Sequence, residues 1–212
     1  MSRQAIIATV VTAIGVITLG AWSLSVERAG ITAGLWLERV GPDASAEFVE
    51  RVRGPLTGVE LARIEQVARH ELALAFAMTC VHVTDSRAAR YRVRVEAGTL
   101  GFLAGQSRPL PGLRGDGVIS FASIAASAVA FAPRDANREV LVDAIGRGLG
   151  RTAAHEVAHQ LLGILDIHDP QDRLSYEYPD LRPEHFYGQL HWTIAAAPLT
   201  ARVGGSACRS RS

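Results

Sequence analysis

Two histidines and a glutamate near residue 155 have the types and spacing needed for metal-assisted chemistry. The segment reads His155-Glu156-Val157-Ala158-His159, which is the HExxH pattern. On a helix, residues four apart lie on the same face, so both imidazoles can reach a single Zn²⁺. Glu156 lies one step further around the helix, where its carboxylate can act as general base toward a zinc-activated water. Chance is a poor explanation, because roughly 0.01 such patterns are expected in a chain of this size.

A catalytic zinc site needs a third protein ligand and one open position. His168 is the expected third ligand, and Asp166 is the nearest alternative. More distant groups could instead fold back onto the metal, although residues 182–192 are better interpreted as a helix that packs on the core. These distant candidates are Glu177, Glu184, His185 and His191.

The stretch from His155 to His168 resembles the signature of the metzincin zinc metallopeptidases, HExxHxxGxxH. Here Gly163 stands one residue later, and His168 three residues later, than in that signature. Because three residues are close to one helical turn, the helix can continue to Gly163 before the chain returns a ligand to the metal. The residue pattern of segments 101–105 and 117–122 is similar to that of the strands that precede the zinc helix in archaemetzincin-like proteins. The resemblance covers about residues 58–179.

The segment that follows His168 looks like the metzincin region in which the third histidine precedes a methionine turn. No methionine follows Met78 in this chain, so the resemblance puts Tyr176 in the methionine's place, at the floor of the site. Tyr178 or Tyr187 could help to stabilise an oxyanion.

The resemblance implies a zinc metallopeptidase whose peptide or protein substrate lies extended along an edge strand beside the zinc helix. Residues 118–124 are the candidate for that strand. Two alternatives remain open. The first is a non-catalytic zincin-like domain of the cell envelope that binds zinc or recognises peptides, and the second is an envelope scaffold without metal.

The elements around the zinc helix alternate between helical and extended patterns. Residues 58–77 carry apolar side chains at helical spacing, whereas 80–84 and 91–96 alternate as half-buried strands do. In the second strand Tyr91, Val93 and Val95 should share the buried face. Residues 105–117 are rich in Gly and Pro and are expected to form a loop. Gly146, Gly148 and Gly150 are expected to permit close helix packing.

Composition and charge exclude some classes of function. The chain has 212 residues, 48% of them hydrophobic, and a formal net charge of +1. It can therefore build a core and is too hydrophobic for an extended disordered chain. It has no block of basic residues able to hold a phosphate backbone, so we expect no nucleic-acid partner.

Residues 5–26 contain no charged side chain. As a helix they would extend about 33 Å, enough to cross the hydrocarbon core of a bilayer. We expect a single-pass membrane anchor that leaves the catalytic domain outside the cytoplasm. The alternatives are a signal peptide cleaved near residues 21–23, which gives a secreted protein, and a buried core helix.

These observations predict an α+β, zincin-like fold: a small mixed sheet packed on helices, with a central HExxH helix, preceded by an N-terminal transmembrane helix. The expected organisation is a short tail at 1–4, an anchor or signal peptide at 5–26 and a stalk at 27–55. A metallopeptidase domain at 56–200 and a flexible tail at 201–212 follow. Cys80 and Cys208 could form a disulfide that ties this tail to the domain, or remain as two thiols.

Overall fold

Short β-branched and apolar runs form a five-stranded mixed sheet. This computed structural model describes residues 31–98, 100, 104–112, 114–163 and 167–204. The strand order is β2-β1-β3-β5-β4, with β4 antiparallel to β5 and every other pair parallel. The strands are β1 (Ile31–Glu38), β2 (Val81–Thr84), β3 (Tyr91–Glu96), β4 (Gly105–Leu110) and β5 (Arg114–Ser120).

The two faces of the sheet differ in polarity, because side chains alternate along each strand. In β3, Tyr91, Val93 and Val95 are buried against the helices, which confirms the predicted face. Arg94 lies on the opposite face, where it forms ion pairs with Glu96 and with Asp116 of β5. The helices therefore cover the apolar face, and charged pairs line the other face.

Six helices accompany the sheet within the described ranges. The second begins with a capping box between Thr57 and Glu60, and it buries Ile64, Ala68 and Leu72, as the helical spacing predicts. The helices are α1 (Ala46–Val52), α2 (Gly58–Ala75), α3 (Phe121–Ala130), α4 (Arg138–Leu162), α5 (Pro183–Tyr187) and α6 (Ala196–Val203).

Glycines in α4 allow neighbouring helices to come very close. A Cβ at Gly146 would lie 2.7 Å from Cβ of Val67 in α2, and a Cβ at Gly148 would lie 2.5 Å from the ring of Phe186 in α5. Real side chains do not reach such distances. The predicted role of these glycines in close helix packing is therefore confirmed, and α4 becomes the central helix against which α2, α3 and α5 pack.

Two predicted elements are wrong at the edge of the sheet. The expected loop 105–117 contains β4 and the start of β5, and the expected strand 118–124 ends at Ser120. The chain turns into α3 there, because the Ser120 hydroxyl accepts the Ser123 N–H and caps the helix. On this side of the sheet the edge strand is β4, whereas β5 lies between β3 and β4.

The predicted stalk and tail also contain parts of the fold. Residues 27–55 include β1, which lies between β2 and β3 in the sheet, as well as α1. Residues 201–203 complete α6, where Val203 is buried. Cys80 is disulfide-bonded; Cys208, the chain's other cysteine, lies outside the described residues.

No helix of the described ranges is both long enough and apolar enough to cross a membrane. The 25-residue α4 has the length, but it contains Arg147, Arg151 and Glu156, which are costly in hydrocarbon. Within these ranges the finding contradicts the expected transmembrane helix of the fold and the expected single-pass membrane location. Residues 5–26, on which both expectations rested, lie outside the described part of the chain.

Candidate metal centre and catalytic cleft

The last turns of α4 carry the HExxH residues. His155, Glu156 and His159 belong to this helix, which ends at Leu162. Gly163 has φ of 68°, a left-handed conformation that glycine adopts at low cost, and its N–H donates to the His159 carbonyl over 3.0 Å. The helix thus ends at Leu162 with Gly163 as its cap, and His168 lies five residues beyond this cap in the sequence.

Three histidines converge at this end of α4. The ligand atoms of His155, His159 and His168 lie within 4.8 Å of one another. Nε2 of His155 is 3.0 Å from Nε2 of His159, close to the ~3.3 Å that separates two nitrogens on a tetrahedral Zn²⁺ with ~2.05 Å bonds. The His168 ring stacks on that of His155, with centroids 5.1 Å apart. This group could hold a metal ion.

His155 presents the form of imidazole that binds metals. Its Nδ1 contacts the Tyr176 carbonyl at 2.9 Å, and since a carbonyl only accepts hydrogen bonds, Nδ1 carries the proton. Nε2 of the neutral ring then has its lone pair directed at the other histidines. Burial, reinforced by the neighbouring His159, lowers the pKa of His155 to about 3. The ring is therefore neutral and available as a ligand at pH 7.

Glu156 lies beside the histidines and is almost completely buried from solvent. Its side chain is 5% exposed, and this burial raises its pKa to about 7, although Ser107 opposes the shift. The Gly105 backbone packs so closely on the carboxylate that a Cβ there would lie 2.6 Å from Oε1. Ser107 Oγ donates to the Glu156 backbone carbonyl at 3.2 Å. A carboxyl group held in this way can exchange a proton near neutral pH.

A cleft of about 740 Å³ opens onto these residues. The edge strand β4 and the segment 178–181 both contribute to its walls. Hydroxyl groups from α3 and α4 line part of its surface, including Ser123 and Thr152. The volume is within the usual range for sites that bind small molecules or side chains.

Both tyrosines of the predicted site line the cleft. The Tyr176 ring packs on Trp192, with centroids 4.7 Å apart. The Tyr178 ring lies under the guanidinium of Arg182, 4.3 Å from the ring centroid. Tyr187, the other candidate for oxyanion stabilisation, instead donates its hydroxyl hydrogen to the Ala128 carbonyl.

The distant candidates for the third ligand do not join the histidine cluster in the described part of the chain. Asp166 lies outside the described residues. The four more distant candidates have partners elsewhere among the described residues, so the structure does not bring them to the histidine cluster. Glu177 binds Thr193, Glu184 pairs with Arg173, His185 contacts Thr152, and His191 pairs with Asp172.

Sequence reasoning missed several residues around Glu156. Thr152 had a usable signal, because it stands one helical turn before His155 and Glu156 and so shares their face. Gly105 and Ser107 had none, since they reach Glu156 only through the packing of β4 on α4.

Comparisons with protein families, with curated proteins and with solved structures find no match to this chain.

Proposed function

We propose that this protein is a zinc-dependent metallopeptidase that hydrolyses peptide bonds. One observation carries the proposal: three histidines whose ligand atoms lie within 4.8 Å of one another stand beside a buried glutamate at a cleft. The order of these residues resembles the metzincin signature. A non-catalytic zinc-binding domain would explain the three histidines, but it would not require a buried glutamate beside them.

Three imidazole nitrogens are a ligand set that suits zinc and leaves a fourth position open. His155, His159 and His168 would hold the ion. When bound, Zn²⁺ acts as a Lewis acid and lowers the pKa of a water molecule toward about 7.

Glu156 supplies the proton transfer. Its carboxylate takes a proton from the attacking water and later delivers it to the leaving amine nitrogen as the peptide C–N bond breaks. A pKa near 7 suits both transfers, because the group gives up the proton as readily as it takes it. The backbone at Gly105 lies against the carboxylate and so limits the access of bulk water to it.

The edge strand β4 offers a binding surface for an extended peptide. Its outer side has no strand partner among the described residues, so backbone groups there can pair with a substrate. Pro109 has no backbone N–H. The N–H groups that can donate to a substrate therefore lie in Gly105–Arg108, next to Glu156. In this proposal β4 takes the role expected of residues 118–124.

The test compares the wild type with Glu156→Gln, both loaded with zinc, on a mixed peptide library analysed by mass spectrometry. We expect cleavage by the wild type and at least a ~10³-fold slower rate for the variant, with equal zinc content. Glu139→Gln, an exposed position in the first turn of the same helix, is the matched control. Zinc binding without cleavage by the wild type would favour a non-catalytic peptide-recognition domain.

A further inference from the structure

Two consecutive backbone carbonyls contact one of the three histidines and the residue that follows another. The Tyr176 carbonyl accepts the hydrogen bond from His155 Nδ1 at 2.9 Å. The next carbonyl, that of Glu177, accepts the amide N–H of Asp169 at 2.9 Å, and Asp169 directly follows His168. Residues 176–177 therefore position one ligand directly and the backbone beside another.

The side chain of Glu177 anchors this pair of residues. It is 0% exposed, and its Oε2 accepts the Ser175 hydroxyl and the Thr193 amide, the latter at 2.8 Å. Its Oε1 accepts the amide of Ala195. These donors are all neutral. A buried carboxylate is expensive unless every acceptor position is used, and removing it leaves the donors unpaired. The carboxylate thus clamps residues 176–177 to the turn at 193–195.

Thr193 extends the connection to the third histidine. Its hydroxyl oxygen is 2.8 Å from Oε2 of Glu177 and 2.8 Å from Oδ2 of Asp169. The hydroxyl has one hydrogen, so it donates to one carboxylate at a time while staying in contact with both. A continuous path of bonds and hydrogen bonds therefore links two ligands. In order, it runs through His155, Tyr176, Glu177, Thr193, Asp169 and His168.

We propose that Glu177 is a positioning residue for the metal site, and that its buried carboxylate holds His155 and His168 at the separation the metal requires. The inference rests on the metal site of the proposed function. Groups that orient metal ligands typically contribute 10- to 100-fold to metal affinity. Glu177 does so without touching metal or substrate.

The test is the zinc affinity of the full chain, measured by competition with a chelator, for the wild type and Glu177→Gln. Glutamine has an NH₂ donor where the carboxylate has its second acceptor oxygen. This NH₂ group would face another hydrogen-bond donor, so the clamp should loosen. We expect zinc binding about 10 to 100 times weaker and a changed visible absorption spectrum of the Co²⁺-loaded protein. Glu60→Gln is the matched control, because it also removes a hydrogen-bonded carboxylate but at the start of α2. It should match the wild type in both measurements.

A second variant, Thr193→Val, keeps the charge of Glu177 and nearly the shape of Thr193 while it removes the hydroxyl link. We expect it to weaken zinc binding by about threefold to tenfold and to shift the Co²⁺ spectrum. If Glu177→Gln does not fold, Thr193→Val alone tests the positioning role of Glu177. Affinities within twofold of the wild type and an unchanged spectrum in the folded variants would overturn the inference alone. A wild type that binds no zinc would overturn the proposed function and this inference together.

Discussion

The Nδ1 of His155 donates a hydrogen bond to the backbone carbonyl of Tyr176 over 2.9 Å. This contact joins the histidine-bearing end of α4 to a loop 21 residues further along the chain. Because it fixes the tautomer of His155, it prepares Nε2 as a ligand before any metal arrives. Metal binding would then cross-link α4 and this loop, so metal affinity and folding stability should be coupled.

The close contact of Gly105 with Glu156 predicts a loss of activity from a single methyl group. In Gly105→Ala the new Cβ would lie 2.6 Å from Oε1 and 3.0 Å from Cγ2 of Thr152, so the carboxylate must move. We expect kcat/KM to fall about tenfold or more, with zinc affinity unchanged. Gly41→Ala, where nothing lies within 4 Å of the added Cβ, should match the wild type. Full activity in Gly105→Ala would argue against Glu156 as the base.

The buried histidines predict that the metal-free protein loses stability as the pH falls. Burial lowers the pKa of His155 and of His185 to about 3, whereas each is near 6.5 in the unfolded chain. The unfolded state therefore binds more protons below pH 6.5, and stability falls from there toward pH 3. Between pH 8 and pH 5 we expect a loss of about 1–2 kcal/mol per histidine in urea unfolding. His185→Gln should flatten this dependence, and an equal slope in the variant would contradict the assignment.

The ion pair between α2 and α4 predicts a second loss of folding stability, at more acidic pH. The Arg138 guanidinium is the main cause that lowers the pKa of Glu60 from 4.5 to about 2. A lowered carboxyl pKa contributes stability above pH 4.5 that disappears as the pH falls through 2. Arg138 is partly exposed, so we expect Glu60→Gln to cost only about 1–2 kcal/mol at pH 7. The two unfolding free energies should converge near pH 2; a constant difference would show that charge is not the cause.

Local spacing was enough to predict the core of the candidate site. His155, Glu156 and His159 share one helix, and the helical repeat alone determines which of them are neighbours. Their approach to His168 requires α4 to stop soon after His159, and Gly163 provides a local signal for that end. For the same reason the buried faces of α2 and β3 follow directly from the periodicity of their apolar residues.

Elements that depend on long-range pairing were the ones that the sequence could not identify. β4 contains Gly105 and Pro109 and no β-branched residue, so its strand conformation arises from pairing with β5 rather than from propensity. The cap at Ser120 could have separated β5 from α3, but a small apolar run is ambiguous by periodicity alone. The role of Glu177 depends on donors at 193–195, which only the tertiary structure brings within reach.

The zinc content of the purified full chain, measured for the wild type beside His168→Ala after reconstitution at neutral pH, tests the central claim most directly. We predict about one zinc per wild-type chain, because the three histidines form one site. Loss of His168 leaves two protein ligands, so the variant should lose its zinc or bind it at least about tenfold more weakly. A wild type without zinc, or a variant that binds zinc equally well, would contradict the account.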